Sequence, residues 1–197
     1  MLKKIRQVLN SSPDSAKLIG DFAVAGIPRE EGVMMPAAVL VPLVDRVEEL
    51  TVLLTRRTDH LLHHPGQVSF PGGQAEGHDT GPIETALREA EEEIGLQRRY
   101  VEIAGFLDSY QTVTGFLITP VVGFIKPSFE LNPDPFEVAE VFEVPLSFVL
   151  DPRHHERRSM NYKGQERRFY VLPYKDYYIW GATAAMLVNL AKKVTSP

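Results

Sequence analysis

Apolar residues along the chain fall into short β-branched runs divided by polar turns, with three stretches at helical spacing. Residues 37–44 and 50–55 are apolar runs of strand length. The polar segment 45–49 joins them, which predicts a hairpin. Residues 68–70 form a further short strand that stops at Pro71-Gly72-Gly73. Strands are also predicted over 101–107, 118–125, 138–144, 170–172 and 178–180. Between them, Ile83, Ala86, Leu87, Ala90 and Ile94 fall within one arc at 100° per residue. This predicts a helix over 82–94, capped by Thr80, with Pro82 in its first turn and Gly95 at its end. Residues 183–194 predict a closing amphipathic helix. Ile5, Val8 and Leu9 predict a short one at the start. Residues 10–36 are rich in Ser, Pro, Gly and charge and suit an extended arm. The expected organisation is an N-terminal helix and arm over 1–36 and one domain over 37–194. The expected class is α/β in the broad α+β sense, a mixed β-sheet with helices packed against it.

Composition narrows the function more than the fold. A chain of 197 residues can bury a full core. Its net charge of -5 argues against a nucleic-acid partner held by bulk charge. Cysteine is absent, which excludes disulfides and Cys-ligated zinc. The basic residues near the N-terminus precede no apolar run long enough for a signal peptide. No stretch of about 20 apolar residues occurs. A cytoplasmic protein without membrane contact is the expectation. A monomer and a homodimer are both compatible with the sequence.

The predicted helix 82–94 is strongly acidic. Glu89, Glu92 and Glu93 are spaced i, i+3, i+4, so they project together, away from the apolar face. Like charges at this spacing repel, and a divalent cation relieves the repulsion. Oxygen ligands select hard ions, Mg²⁺ or Mn²⁺. Arg88 lies four residues from both Glu84 and Glu92 and can fix either carboxylate. A glutamate-rich helical face is ordinarily solvated and binds nothing. Two features favour a site: Pro71-Gly72-Gly73 upstream, where bare backbone can approach a ligand, and the abrupt end at Ile94-Gly95-Leu96.

Gly72-Gly73 followed by Arg88-Glu89-Ala90-Glu91-Glu92-Glu93-Ile94-Gly95-Leu96 resembles the Nudix box: Gly, five residues, Glu, seven residues, then Arg-Glu-aliphatic-x-Glu-Glu-x-Gly-aliphatic. The helical half matches. In the loop half, Asp79 stands where the box has Glu, and one residue is inserted before Arg88, so the sequence assigns Asp79 no catalytic role. The resemblance implies a Nudix-type α/β/α sandwich and hydrolysis of a phosphoanhydride. It implies Glu92 and Glu93 as metal ligands, and Glu89 as a ligand or the group that activates water. It further implies a backbone carbonyl near Gly73 as a metal ligand, and Arg88 as the residue that orients a glutamate. Nudix enzymes often recruit one more acid from outside the box. Glu137 is the candidate here, and Glu140 lies close by.

Upstream, Leu53-Leu54-Thr55-Arg56-Arg57 and Gly66-Gln67-Val68-Ser69-Phe70-Pro71-Gly72-Gly73 are similar to the segment before the box in coenzyme A pyrophosphatases of the Nudix family. Spacing is kept, while Thr58 replaces Ser/Ala and Leu62 replaces an arginine. Segments 114–123 and 179–183 are also similar. This resemblance implies cleavage of coenzyme A, or a derivative, to 3′,5′-ADP and 4′-phosphopantetheine. Arg56, Arg57, Gly72 and Gly73 would bind the substrate. His63 and His64 could add charge, though surface histidines of no function are the plainer reading of His60, His63 and His64. Two other readings stay open: a Nudix pyrophosphatase of a nucleotide sugar or dinucleotide, and a catalytically silent Nudix binding domain.

Overall fold

The computed structural model describes residues 1–13, 18–21, 32–162 and 164–196. Among them, nine strands form one mixed sheet. Strand β2 (Met35–Asp45) lies at its centre, antiparallel to β3 (Leu50–Arg57) and parallel to β8 (Phe116–Ile125). The predicted hairpin is present, with Leu43 opposite Val52 and Asp45 opposite Leu50. Three strands extend the β8 side. β6 (Val101–Phe106) and β7 (Ser109–Gln111) run antiparallel to β8, and β1 (Leu18–Gly20) runs parallel to β7. On the other side, β4 (Val68–Ser69) and β9 (Val138–Pro145) flank β3. The glycines expected to end a strand instead form one. β5 (Gly72–Gln74) pairs antiparallel with β2, placing Gly72 opposite Val39 and Gly73 opposite Ala38.

Helices cover both faces of this sheet, as an α/β/α sandwich requires. Side chains alternate faces along each strand. Leu40, Leu53, Val121 and Val138 therefore pack under α2 (Pro82–Ile94), through Ala86, Ala90 and Ile94. Val41, Leu54, Val122 and Phe142 pack on the opposite side under α4 (Gly181–Thr195), together with Ile5 of α1 (Leu2–Val8). A short helix α3 (Leu146–Leu150) leads into a second, three-stranded antiparallel sheet of β10 (Glu156–Tyr162), β11 (Gln165–Tyr174) and β12 (Tyr177–Trp180). Of its long first hairpin, the sequence predicted only residues 170–172 of β11 and none of β10. Residues 156–162 carry two arginines, a glutamate and an asparagine on an edge strand, with no apolar alternation. Within the predicted arm, residues 14–17 and 22–31 lie outside the described residues.

A polar knot ties distant parts of the chain together. Asp108, almost buried, accepts from Asn10 (3.2 Å), from Asn189 (2.8 Å) and from the Lys193 ammonium (2.8 Å). Its own N–H donates back to Asn189 Oδ1 at 3.2 Å. These partners hold its carboxyl below the usual range against the opposing effect of burial.

Candidate active site

Helix α2 spans the predicted residues, but its start differs from expectation. Gly81 is the N-cap and no side chain caps the helix, so Thr80 does not have that role. Pro82 opens the first turn, where its missing N–H does no harm. Gly95 closes the helix at φ +69°, a left-handed conformation that suits glycine. The freed carbonyls at this end are not left to water. Asn132 N–H donates to the Ile94 carbonyl and Asp134 N–H to the Glu93 carbonyl, both at 2.9 Å. The loop before β9 is thus pinned to the end of the acidic helix, and this brings Glu137 to it.

The three glutamates do not stand alike. The Glu92 side chain is 60 % exposed, whereas that of Glu93 is 7 % exposed. Glu89 and Glu93 turn inward over β5. The Gly72 N–H donates to Glu93 Oε2 at 3.3 Å. A Cβ added at Gly73 would lie 2.5 Å from Glu89 Oε1, so the bare α-carbon makes room for this carboxylate. At Gly72 a Cβ would strike the Ala38 carbonyl and come within 2.6 Å of Val39 Cα, so there the strand pairing itself demands glycine.

Arg88 organises the outer part of the site. All five N–H groups of its guanidinium are engaged. Nε donates to Asp79 Oδ1 (3.1 Å) and Nη2 to Asp79 Oδ2 (3.0 Å) and to the Gln74 carbonyl (3.2 Å). Nη1 donates to Glu89 Oε1 and Glu92 Oε2, both at 2.9 Å. Of its two possible helix partners it takes Glu92, while Glu84 pairs with Arg98. Asp79, to which the sequence assigned no role, has one in positioning. Its carboxylate is 1 % exposed and also accepts from Thr85 Oγ1 and the Glu76 N–H, each at 2.9 Å. Arg88 first, then the Glu76 N–H, hold it well below the usual carboxylate range. The inserted residue lengthens the loop, yet the shorter Asp side chain still reaches Arg88.

Burial and mutual repulsion charge this site with a demand for cations. Glu93 is pushed up to about 8, first by burial and then by the Glu89 charge. Arg57 opposes this, Glu137 adds to it, and the Gly72 N–H opposes it. Glu89 is raised too, mainly by burial against the pull of Arg88, with Glu92 and Glu137 adding to the rise. Glu137 is therefore close enough to be felt by both inner glutamates. Arg57 and Arg56, adjacent in sequence, part company. Arg57 Nη1 lies 3.9 Å from Glu93 Oε1. Arg56 Nε lies 3.4 Å from Glu140 Oε2, beside Tyr177, whose hydroxyl donates to Glu140 at 2.5 Å and whose ring stacks on Phe142. Arg56 and Glu140 thus belong with the opposite face of the sheet. His63, His64 and Leu62 are exposed.

Among the described residues, no three acidic or histidine side chains converge at metal-ligand spacing. The donor set nevertheless fits a hard divalent ion in its chemistry: carboxylate oxygens, those of Glu89 and Glu93 turned inward, beside an open backbone at Gly73.

A model of the NUDIX domain family matches residues 34–163, which include all of this site. The chain belongs to the Nudix family. It is 43 % identical over 158 residues to an uncharacterized Nudix hydrolase, NudL, of Enterobacter sp., covering 80 % of this chain and 82 % of that one. It is 42 % identical to the NudL of Photorhabdus laumondii, covering 80 % and 84 %. Among solved structures, a MutT/nudix family protein of Enterococcus faecalis has the same fold. Its TM-score is 0.50 at 17 % identity, over 86 % of this chain and 70 % of that one. The protein is a Nudix hydrolase, and hydrolases of this family generally act with divalent metal ions. Among the described residues no helix is long and apolar enough to cross a membrane.

Proposed function

We propose that this Nudix hydrolase cleaves the diphosphate of coenzyme A or its derivatives to 3′,5′-ADP and 4′-phosphopantetheine, acylated where the substrate is, with Mg²⁺ or Mn²⁺ as cofactor. The observation that carries the reading is the inward pair Glu89 and Glu93, stacked over Gly72 and Gly73, with Glu89 held by Arg88. Glu89, Glu92, Glu93, the Gly73 carbonyl and Glu137 would hold the metal. When bound, such an ion neutralises diphosphate oxygens and lowers the pKa of water. The chain's own residues do the rest. Arg88 occupies Glu89 Oε1, so Glu89 Oε2 is the oxygen left either to hold the metal or to take a proton from the attacking water. Asp79 keeps Arg88 from swinging away. Arg57, facing Glu93, supplies a fixed cation toward which a substrate phosphate can turn. Attack by water needs no covalent nucleophile, consistent with a chain that has no cysteine.

Coenzyme A is favoured over other diphosphates by the stretch 53–73, which contributes Arg57 and β5 to this site. Leu62, in place of an arginine, favours the second reading, another nucleoside diphosphate derivative such as a nucleotide sugar or dinucleotide. Product analysis separates them. Release of 3′,5′-ADP from coenzyme A at a higher kcat/KM than any product from ADP-ribose or diadenosine polyphosphates is expected. No 3′,5′-ADP from coenzyme A would refute the first reading.

A further inference from the structure

Phe136 stands one residue before Glu137, yet it is 62 % exposed. Its backbone is firmly held. The Phe136 N–H donates to Asp134 Oδ1 at 2.8 Å, and Asp134 is itself bonded to the end of α2 through the Glu93 carbonyl. From the other side, Thr58, the residue after Arg57, donates its hydroxyl to the Phe136 carbonyl at 2.7 Å and its N–H to the Glu137 carbonyl at 3.0 Å. Phe136 is thus tied both to the helix that carries Glu89 and Glu93 and to the strand that carries Arg57. Its ring meets the exposed His60 ring, 4.8 Å between centroids at 60°.

A single exposed apolar side chain is unremarkable on most surfaces. This one is fixed at the rim of an anhydride-cleaving site and paired with a second ring. Its own burial contributes little to the fold. Resting on the reading of the site as a nucleoside diphosphate hydrolase, we propose that Phe136, with His60, is the platform on which the nucleobase of the substrate stacks. An aliphatic tail gains from an enclosed groove, whereas a base gains from one open aromatic face, and such stacking tolerates partial exposure.

The two products report separately on the two halves of the site. Inhibition by 3′,5′-ADP and by 4′-phosphopantetheine is to be measured for the wild type and for Phe136→Ala, Phe136→Leu and Phe136→Trp. Phe136→Ala and Phe136→Leu should each raise the inhibition constant of 3′,5′-ADP about tenfold or more. That of 4′-phosphopantetheine should stay within about twofold, and Phe136→Trp should restore nucleotide binding. Melting temperatures should be unchanged. Unchanged nucleotide inhibition in Phe136→Ala, full retention in Phe136→Leu, or a loss confined to 4′-phosphopantetheine would each overturn the proposal. The last result would assign the rim to the tail. Failure of the wild type to cleave coenzyme A is a separate result. It refutes the coenzyme A reading, and the stacking test then runs with the nucleotide product of the diphosphate that is cleaved.

Discussion

Replacing Glu93 by glutamine should make the metal-free protein more stable, and increasingly so as pH rises. In the unfolded chain this carboxyl titrates near 4.5, and in the folded protein near 8. Below the lower value both states are protonated and the group contributes no difference. Between the two, the folded state holds a proton that the unfolded state has released, so stability falls as pH rises through the window. One proton corresponds to about 1.4 kcal/mol per pH unit, which accumulates to on the order of 4 kcal/mol by the top of the window. Glutamine keeps the shape and an acceptor for the Gly72 N–H but carries no charge. Urea unfolding in the presence of a chelator should therefore show wild type and Glu93→Gln nearly equal at pH near 4.5. They should diverge steadily to about pH 8 and run parallel above it. Excess Mg²⁺ should reverse the order, because a ligand that binds only the folded state stabilises it. Curves that stay parallel across the whole window would refute the account of Glu93 as a carboxyl raised by burial and by the neighbouring Glu89 charge.

The two glycines should respond differently to alanine. Gly73→Ala first meets the Glu89 side chain rather than backbone, so hydrolysis should fall by about two orders of magnitude or more with little change in melting temperature, in line with displacement of a positioned group. Gly72→Ala meets the backbone of β2, so its melting temperature should drop markedly. Asp79→Asn removes the charged partner of the Arg88 fork. It should lower kcat with KM little changed, and Arg88→Lys should do the same, because lysine cannot span five acceptors. Leu62 is 94 % exposed, so Leu62→Arg should leave the fold intact and lower KM for coenzyme A severalfold. An unchanged KM would argue that an arginine at this position does not touch the substrate.

The most regular element was the most legible. Five apolar residues on one arc and a glycine stop located α2, because burial of one face dictates that spacing. Its N-cap was misplaced, since Thr80 competes with a glycine that needs no side chain to start the helix. Spacing alone grouped Glu89, Glu92 and Glu93, but could not tell that the sheet would bury two and leave Glu92 in water. Arg56 and Arg57 looked equivalent as neighbours, and the alternation of a strand sends them to different faces. Asp79 was hidden by an insertion. Its one sequence signal, an acid at box distance from Gly73, gained meaning only when the loop brought it to the Arg88 guanidinium. Strand β10 was invisible because a polar edge strand has no face to bury, and of β11 only the apolar part, 170–172, could be read.

The Asp108 knot bears on how the chain is made. Asn10, Asp108, Asn189 and Lys193 meet at one point, and Ile5 is buried on the face that α4 covers. Contacts this far apart in sequence form late. During synthesis the central sheet can assemble while α4 is still inside the ribosome, leaving one apolar face and a buried-to-be carboxylate facing solvent. Until α4 emerges, the nascent chain has the acidic helix packed on one face of its sheet and an unprotected apolar surface on the other. That interval is when it would need chaperone shelter most.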